Sequence, residues 1–583
     1  MKLTRWALVA MTAGVALSTA CKSDSSTAPA PDPIVGVSAV AQSTTSATIS
    51  FTSVAGDASY DIERAEGTTG TFVVVTTVTA PATSSTVTYT DANLKVSTLY
   101  RYHVVTSRGG LKSAASGEAT VTTLTFGNAA AVISQDITTD RTLFADTAYT
   151  LSGFIHVANG ATLTIKPGTI IKGDFNVLGS SLLILKGAKI QAVGTADAPI
   201  VFTSSRAAGQ RQPGDWGGLI LVGNAVNNRS GSVAVEGSGT DGATVVSGKN
   251  YTVIYNGGTT PTDNSGTLSY VRVEFGGFAP VQDQEFNAFT FAAIGSGTRA
   301  SYLEAMNGLD DSYEFFGGGF DLDHLVAFET GDDQFDMSEG WSGRMQFLIG
   351  INTTQLTPRT GAGSYSVDVE GIENDGCNGS GCTLGFNTSP YTVPLVANFT
   401  LVGCGQASCM GTGGGHGLML RRGTGGYYVN GVVARWTSDG VSMRDSATFA
   451  RAGNTATPST AADLQLRNIL FAETNGKVFQ TPVNAATNPQ ADMDLAANSL
   501  TLSTATAASL FTTVPAVGAA PASITAFDFS PAAGSPIATG GLATFAGSIQ
   551  TKAGTFVTPT AYLGAAAPGG TKWWTGWTNY ARN

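Results

Sequence analysis

Asp310-Asp311-Ser312-Tyr313-Glu314-Phe315 is answered 22 residues later by Asp332-Asp333-Gln334-Phe335-Asp336-Met337. The spacing continues in Leu303, Leu325 and Phe347, and Gly417-Leu418-Met419-Leu420-Arg421 aligns with Gly440-Val441-Ser442-Met443-Arg444 at an offset of 23. A period of this length is a unit that cannot bury its own apolar face and must stack on copies of itself. Within each unit the apolar residues alternate, which is the periodicity of strands. Tyr313, Phe315, Phe335 and Met337 therefore face inward as ladders, as do Leu418, Leu420, Val441 and Met443. Glu314, Asp336, Arg421 and Arg444 face outward. Leucine-rich repeats share the length, but their Leu-x-x-Leu-x-Leu signature is missing. The reading is all-β: a long right-handed parallel β-helix over residues 125–583, of roughly 15–20 coils at about 4.8 Å each.

Working outward, residues 35–124 carry short alternating segments between turn signals, among them SATISFTSV, SYDIERA, TFVVVTTV and LYRYHVVTS. About seven strands in some ninety residues predict a β-sandwich. Leu94-x3-Thr98-x-Tyr100-x-Tyr102 resembles the fibronectin type III pattern, which implies such a module ahead of the β-helix and a spacer role for it. Residues 21–34 are rich in Ser, Ala and Pro and read as a tether. Lys2 and Arg5 precede an apolar stretch from Trp6 to Ala20 that is too short to span a bilayer. It ends in Leu17-Ser18-Thr19-Ala20-Cys21, which resembles a bacterial lipobox. The resemblance implies a signal peptide over 1–20, a lipid on Cys21 and an outer-membrane, cell-surface address.

Low charge content, 13%, with mean hydropathy of +0.10 argues against disorder, and a net charge of −11 argues against nucleic acid as a partner. Beyond Cys21 the cysteines are Cys377, Cys382, Cys404 and Cys409, two C-x4-C pairs in Gly-rich loops. Zinc sites favour C-x2-C with histidines, so an exported chain with this pattern is expected to carry disulfides, with local bridges the simplest of three connectivities.

The segments ATLTIKPGTIIKGD, LLILKGAKIQAVGTADAPIVFTS, GDWGGLILVGNA, GTLSYVRVEFGG and WWTGWTNY together resemble a family of bacterial surface β-helix lipoproteins, which implies the fold and little chemistry. Chemistry has to come from the side chains. Asp310, Asp311, Glu314, Asp332, Asp333 and Asp336 repeat at the coil spacing, and carboxylates that close either raise a pKa or take up a cation. Calcium, a hard ion with six to eight oxygen ligands, is the natural candidate. Gly331-Asp332-Asp333 and Gly415-His416-Gly417 resemble two motifs of polygalacturonase-type glycoside hydrolases, which implies a catalytic alternative on Asp332, Asp333 and His416. Those motifs lie 84 residues apart here, several coils rather than one. Arg421 and Arg444, with Trp341 and Trp436 as stacking faces, are candidates for glycan contact. The terminal Trp573, Trp574 and Trp577 are expected to cap the open end of the β-helix. The expectation is a non-enzymatic surface lipoprotein for adhesion or glycan binding, with calcium as the candidate stiffening ion, its partners being a membrane, an extracellular polysaccharide or another surface protein. A polysaccharide lyase or hydrolase is the alternative.

Overall fold

The computed structural model describes residues 29–127, 129–238, 252–255, 258–279, 284–452, 463–480, 493–519 and 527–580. The proposed signal peptide, Cys21 and most of the tether lie outside them. The chain divides into two compact units, one ending at Thr123 and one running from Leu124. Among the described residues no helix is long and apolar enough to cross a membrane.

The first unit is a pair of antiparallel sheets of three and five strands around Phe51, Tyr60, Ile62, Tyr102 and Val104. Phe51 meets Tyr60 edge-on at 5.0 Å. The buried Tyr102 hydroxyl donates to Asp91 at 2.9 Å, and Arg64 donates to both oxygens of the same carboxylate.

In the second unit every sheet of the stack is parallel, and neighbouring strands are one coil apart in sequence. One face is a nine-stranded sheet that includes Phe289–Ile294, Tyr313–Gly318, Phe335–Ser338, Ile372–Asp375, His416–Arg421 and Asp439–Met443. The other two faces begin as separate strands: Lys189–Val193 pairs with the first half of Gly266–Glu274, and Ile200–Ser204 with its second half. From residue 266 they fuse into single long strands broken by one left-handed residue each. Tyr270, Tyr302, His324, Phe347, Asn398, Asn430 and Asn468 occupy that corner, with φ between 49° and 65°. Asparagine tolerates this conformation because its short amide bonds locally. Asn398 and Asn430 both donate to Thr560, the former at 2.8 Å. At the aromatic corners the rings stack instead, Tyr270 on Tyr302 and Tyr302 on His324, each at 4.4 Å.

The inward ladders fall where alternation places them. Phe289, Tyr313 and Phe335 stack at 5.1 and 5.2 Å, and Leu418 and Leu420 pair with Val441 and Met443. One register differs: Leu325 pairs with Leu348, not Phe347, because this coil holds 23 residues, and Phe347 joins the outer aromatic column. The longest column runs through twelve strands, short of the expected coil number. Long excursions, including 223–265 and 352–371, interrupt the coils. The last strand of the stack is Leu500–Ser503.

The C-terminal segment does not cap the helix end. It turns back along the outside of the fused sheet, where Trp574 and Trp577 are buried against Phe275, Met306, Val326 and Phe328. Trp577 meets Tyr270 and Tyr302 edge-on, Arg272 donates to the Trp577 carbonyl, and the Asn579 amide donates to Glu304. Outward aromatics on a β-sheet are a cost unless covered, and these tryptophans cover them.

Candidate functional site

The outward face of the nine-stranded sheet carries two columns. One reads Thr290, Glu314, Asp336 and Glu373 in consecutive coils; beside it run Ala292, Phe316 and Ser338, with Asp375 and Arg421 paired further along. These columns floor a groove of about 670 Å³. One wall comes from the excursion after Val222, which brings Arg229 and Glu236. The other is the segment Ser364–Val367, buttressed where Ala279 donates its amide to Ala362 and Arg359 to Pro213. Among the described residues ten carboxylates line the groove against three guanidiniums, those of Arg229, Arg421 and Arg422.

Burial and crowding decide the protonation here. Burial raises Glu236 to about 8, even though a hydrogen bond with Glu314 pulls the other way. Two carboxyls bonded to one another must share a proton. Burial, then the Asp375 charge, lifts Asp336 to about 7 despite Arg421 and Arg422. Asp310, Asp311, Glu314, Asp332 and Glu373 are all pushed well above the ordinary range, first by burial and then by neighbouring carboxylates, Glu236, Asp336 and Asp375 among them, although a Ser366 hydrogen bond opposes the rise at Asp332. Burial also opposes the Arg421 charge, but Glu373 and Asp375 more than restore it. Its Nε sits 3.0 Å from Asp375, its terminal nitrogen also bonds Glu373, and Arg422 bonds Asp375.

Two overlapping trios of carboxylates, Asp310 with Asp311 and Asp332, and Asp311 with Glu314 and Asp336, offer oxygens that all lie within 4.8 Å of one another. That is about twice a calcium–oxygen bond, so each trio can close on a single ion. Asp332 Oδ1 and Asp336 Oδ1 are shielded from solvent and accept no hydrogen bond among the described residues, an expensive arrangement for a bare carboxylate. All-oxygen donors suit a hard cation such as calcium rather than zinc or copper.

Several residues singled out from sequence fall elsewhere. Asp333 does not line the groove. It belongs to a ladder in the turn before each strand, where one side chain accepts the backbone N–H of the next coil: Asn287 from Asp311, Asp311 from Asp333 at 2.8 Å, Asp333 from Glu370 at 2.7 Å, Glu370 from His416 at 2.8 Å. His416 completes the ladder with Nδ1 2.8 Å from Asp439 and Nε2 3.2 Å from Arg444. It is the first residue of a strand, not part of a loop, and it does not reach the groove. Asp311 serves both ladder and groove. Trp341 and Trp436 offer no face to a sugar. Both are fully buried, Trp341 against Phe315, while Trp436 donates to the Leu401 carbonyl. Arg421 lies in the groove floor as an ion-pair partner, and Arg444 is exposed one coil beyond.

Sequence reasoning missed Glu236, Glu285, Glu373 and Asp375. Gly371-Ile372-Glu373-Asn374-Asp375 does alternate as Gln334-Phe335-Asp336-Met337 does, but the intervening excursion makes the offset 37 instead of 22. The disulfides are the two local bridges, Cys377–Cys382 and Cys404–Cys409.

A family model described as pectate-lyase like beta helix domain matches residues 135–511. No curated protein sequence matches the chain. Among solved structures, pectate lyase Pel3 from Pectobacterium carotovorum is 12% identical over 60% of this chain and 87% of its own, with a TM-score of 0.13. The catalytic unit of a GH87 alpha-1,3-glucanase from Streptomyces thermodiastaticus is 8% identical over 75% of this chain and 86% of its own, with a TM-score of 0.24. An Fn3-like protein from Clostridium thermocellum is 27% identical over 16% of this chain and 93% of its own, with a TM-score of 0.14. Likenesses this distant carry no reading of the site.

Proposed function

Starting from a chain that belongs to the pectate-lyase-like β-helix domain family, we propose that it is a cell-surface protein that binds polysaccharide in the acidic groove, with calcium held between groove and polymer. The observation that carries this is the carboxylate column Glu314, Asp336 and Glu373 beside Asp310, Asp311 and Asp332. Arg421 and Arg422 pair with Glu373 and Asp375 at one end of the column, and at the other a divalent ion with spare coordination positions bridges protein oxygens to an acidic polymer. In the same reading Cys21 carries the lipid, and the fibronectin type III-like module is a spacer between membrane and groove.

The test is retention of the chain on polygalacturonate and on a neutral glucan, with calcium and with chelator, and products followed by mass spectrometry. Calcium-dependent retention without shortened products is the expected result. Retention that ignores calcium sinks the bridging ion.

A cleaving enzyme is the second reading, favoured by one observation. Glu236 near 8 and Asp336 near 7 put a proton donor and a proton acceptor in one groove at neutral pH. It moves the catalytic candidates from Asp333 and His416 to Asp332, Asp336 and Glu236. Shortened oligosaccharides that disappear in Glu236→Gln, with calcium uptake retained, would establish it.

A further inference from the structure

The Arg229 wall of the groove is held by one small loop. Cys377 and Cys382 close that loop, and its backbone meets the wall residue by residue. Arg229 Nε donates to the Ser380 carbonyl at 3.0 Å, the Ser230 amide donates to the Gly381 carbonyl at 2.9 Å, and Asn228 donates to the Gly376 carbonyl at 3.3 Å. So fastened, Arg229 reaches Glu339 at 2.6 Å inside the groove, where Glu339 also takes the Tyr255 hydroxyl. The opposite wall has its own bridge. Past Cys404–Cys409, the Gly413 and Gly415 amides donate to the Val367 and Val369 carbonyls at 2.7 and 2.9 Å. The two bridges differ in access. Cys404 and Cys409 are both buried, whereas Cys382 is half-exposed behind the buried Cys377.

We infer that Cys377–Cys382 is a latch that thiols can open, and that it sets whether the Arg229 wall of the polymer site is formed, with Cys404–Cys409 as the permanent brace opposite. This rests on the reading of the groove as a polymer site. A small-thiol reductant, as its thiolate, attacks the sulfur of the half-exposed Cys382. The S–S bond breaks, and Cys377 leaves and takes a proton. A second thiol then displaces Cys382 from the mixed disulfide, so the reductant ends as its own disulfide and both cysteines as thiols. Attack on an exposed sulfur proceeds where a buried one is protected. Without the bridge, the loop loses the constraint that holds the Ser380 and Gly381 carbonyls against Arg229 and Ser230. The guanidinium can then leave the groove, while the carboxylate trios stay on the rigid coils.

The deciding experiment is hydrogen–deuterium exchange on the full-length chain, oxidised against mildly reduced, with Cys377→Ser/Cys382→Ser as the variant that leaves the other bridge intact. Exchange should rise in segments 226–231 and 376–382 and stay unchanged in the strands Leu219–Val222 and Ile372–Asp375. In parallel, polygalacturonate retention should weaken roughly tenfold or more, the worth of one charge-assisted contact, with calcium uptake preserved. Unchanged exchange in both segments overturns the latch, and so does melting of the whole stack, which would make the bridge merely structural. Calcium uptake with undiminished retention overturns it as well. If the oxidised chain retains no polygalacturonate at all, the reading of the groove fails, and the exchange result still decides the latch by itself.

Discussion

Replacing Asp336 by Asn should stabilise the metal-free protein, which is unusual for a half-buried polar residue. Asp336 sits between Glu314 and Glu373, one coil on either side. At a strand spacing of about 4.8 Å and an effective dielectric constant near 20, each ionised neighbour costs about 3 kcal/mol. The folded protein avoids this by holding the proton, up to about 7, whereas the unfolded chain releases it near the ordinary value of 3.8. A raised carboxyl pKa contributes nothing adverse below about pH 3, where both states are protonated. Above that, only the unfolded state gains from ionising, so stability falls as pH climbs and the loss is complete beyond about 7. Three pH units correspond to about 4 kcal/mol. Partial exposure at the groove floor and the nearby arginines reduce this to about 2 kcal/mol. In chelator, urea unfolding of Asp336→Asn against the parent should show no difference at about pH 3 and a gain of about 2 kcal/mol at about pH 8. Calcium should reverse the order, because the variant loses a ligand. A variant less stable than its parent at pH 8 in chelator would refute the electrostatic reasoning.

Calcium at a hundredfold excess over its dissociation constant should add about 3 kcal/mol to the parent at pH 8. The gain should shrink as pH falls through the Glu236 and Asp336 values, about 8 and about 7, and calorimetric melts over that range check it. Asp333→Asn preserves an acceptor for the Glu370 amide and should leave calcium titrations unchanged, whereas Asp333→Leu should cost about 1–3 kcal/mol in the same unfolding assay. Trp341→Ala, read by denaturation midpoint, should cost about 3–5 kcal/mol because the indole fills the coil interior. Asn398→Val should cost about 1–3 kcal/mol in denaturant unfolding, since it forces a β-branched residue to φ 54° and discards the bonds to Thr560 and Gly564.

The stack was legible where the period was regular. Tyr313 to Phe335 and Leu418 to Val441 need only alternation and an offset of 22 or 23 to be placed. The groove was legible in part, through Glu314 over Asp336. It became illegible where excursions break the period, and Glu373 was lost for that reason alone. Asp332 and Asp333 illustrate a second limit. They are neighbours in sequence and chemically identical, yet one faces the groove and the other accepts a backbone amide from the next coil. Alternation assigns faces within strands, but Asp332 and Asp333 stand in a turn, where it has nothing to say. The tryptophans failed for a different reason: a large ring fits equally well inside a coil or on a sugar, and only burial separates the two.

The return of the C-terminal segment along the fused sheet ties together parts of the chain that are remote in sequence. Trp577 and Asn579 cover coils that lie 305 and 275 positions earlier, at Arg272 and Glu304, beside the Tyr270 and Tyr302 rings. That aromatic column is therefore closed to solvent only when a strand of chain far away in sequence lies over it. A variant lacking residues 572–580 would keep its stack and its groove and still carry a conspicuous oily seam.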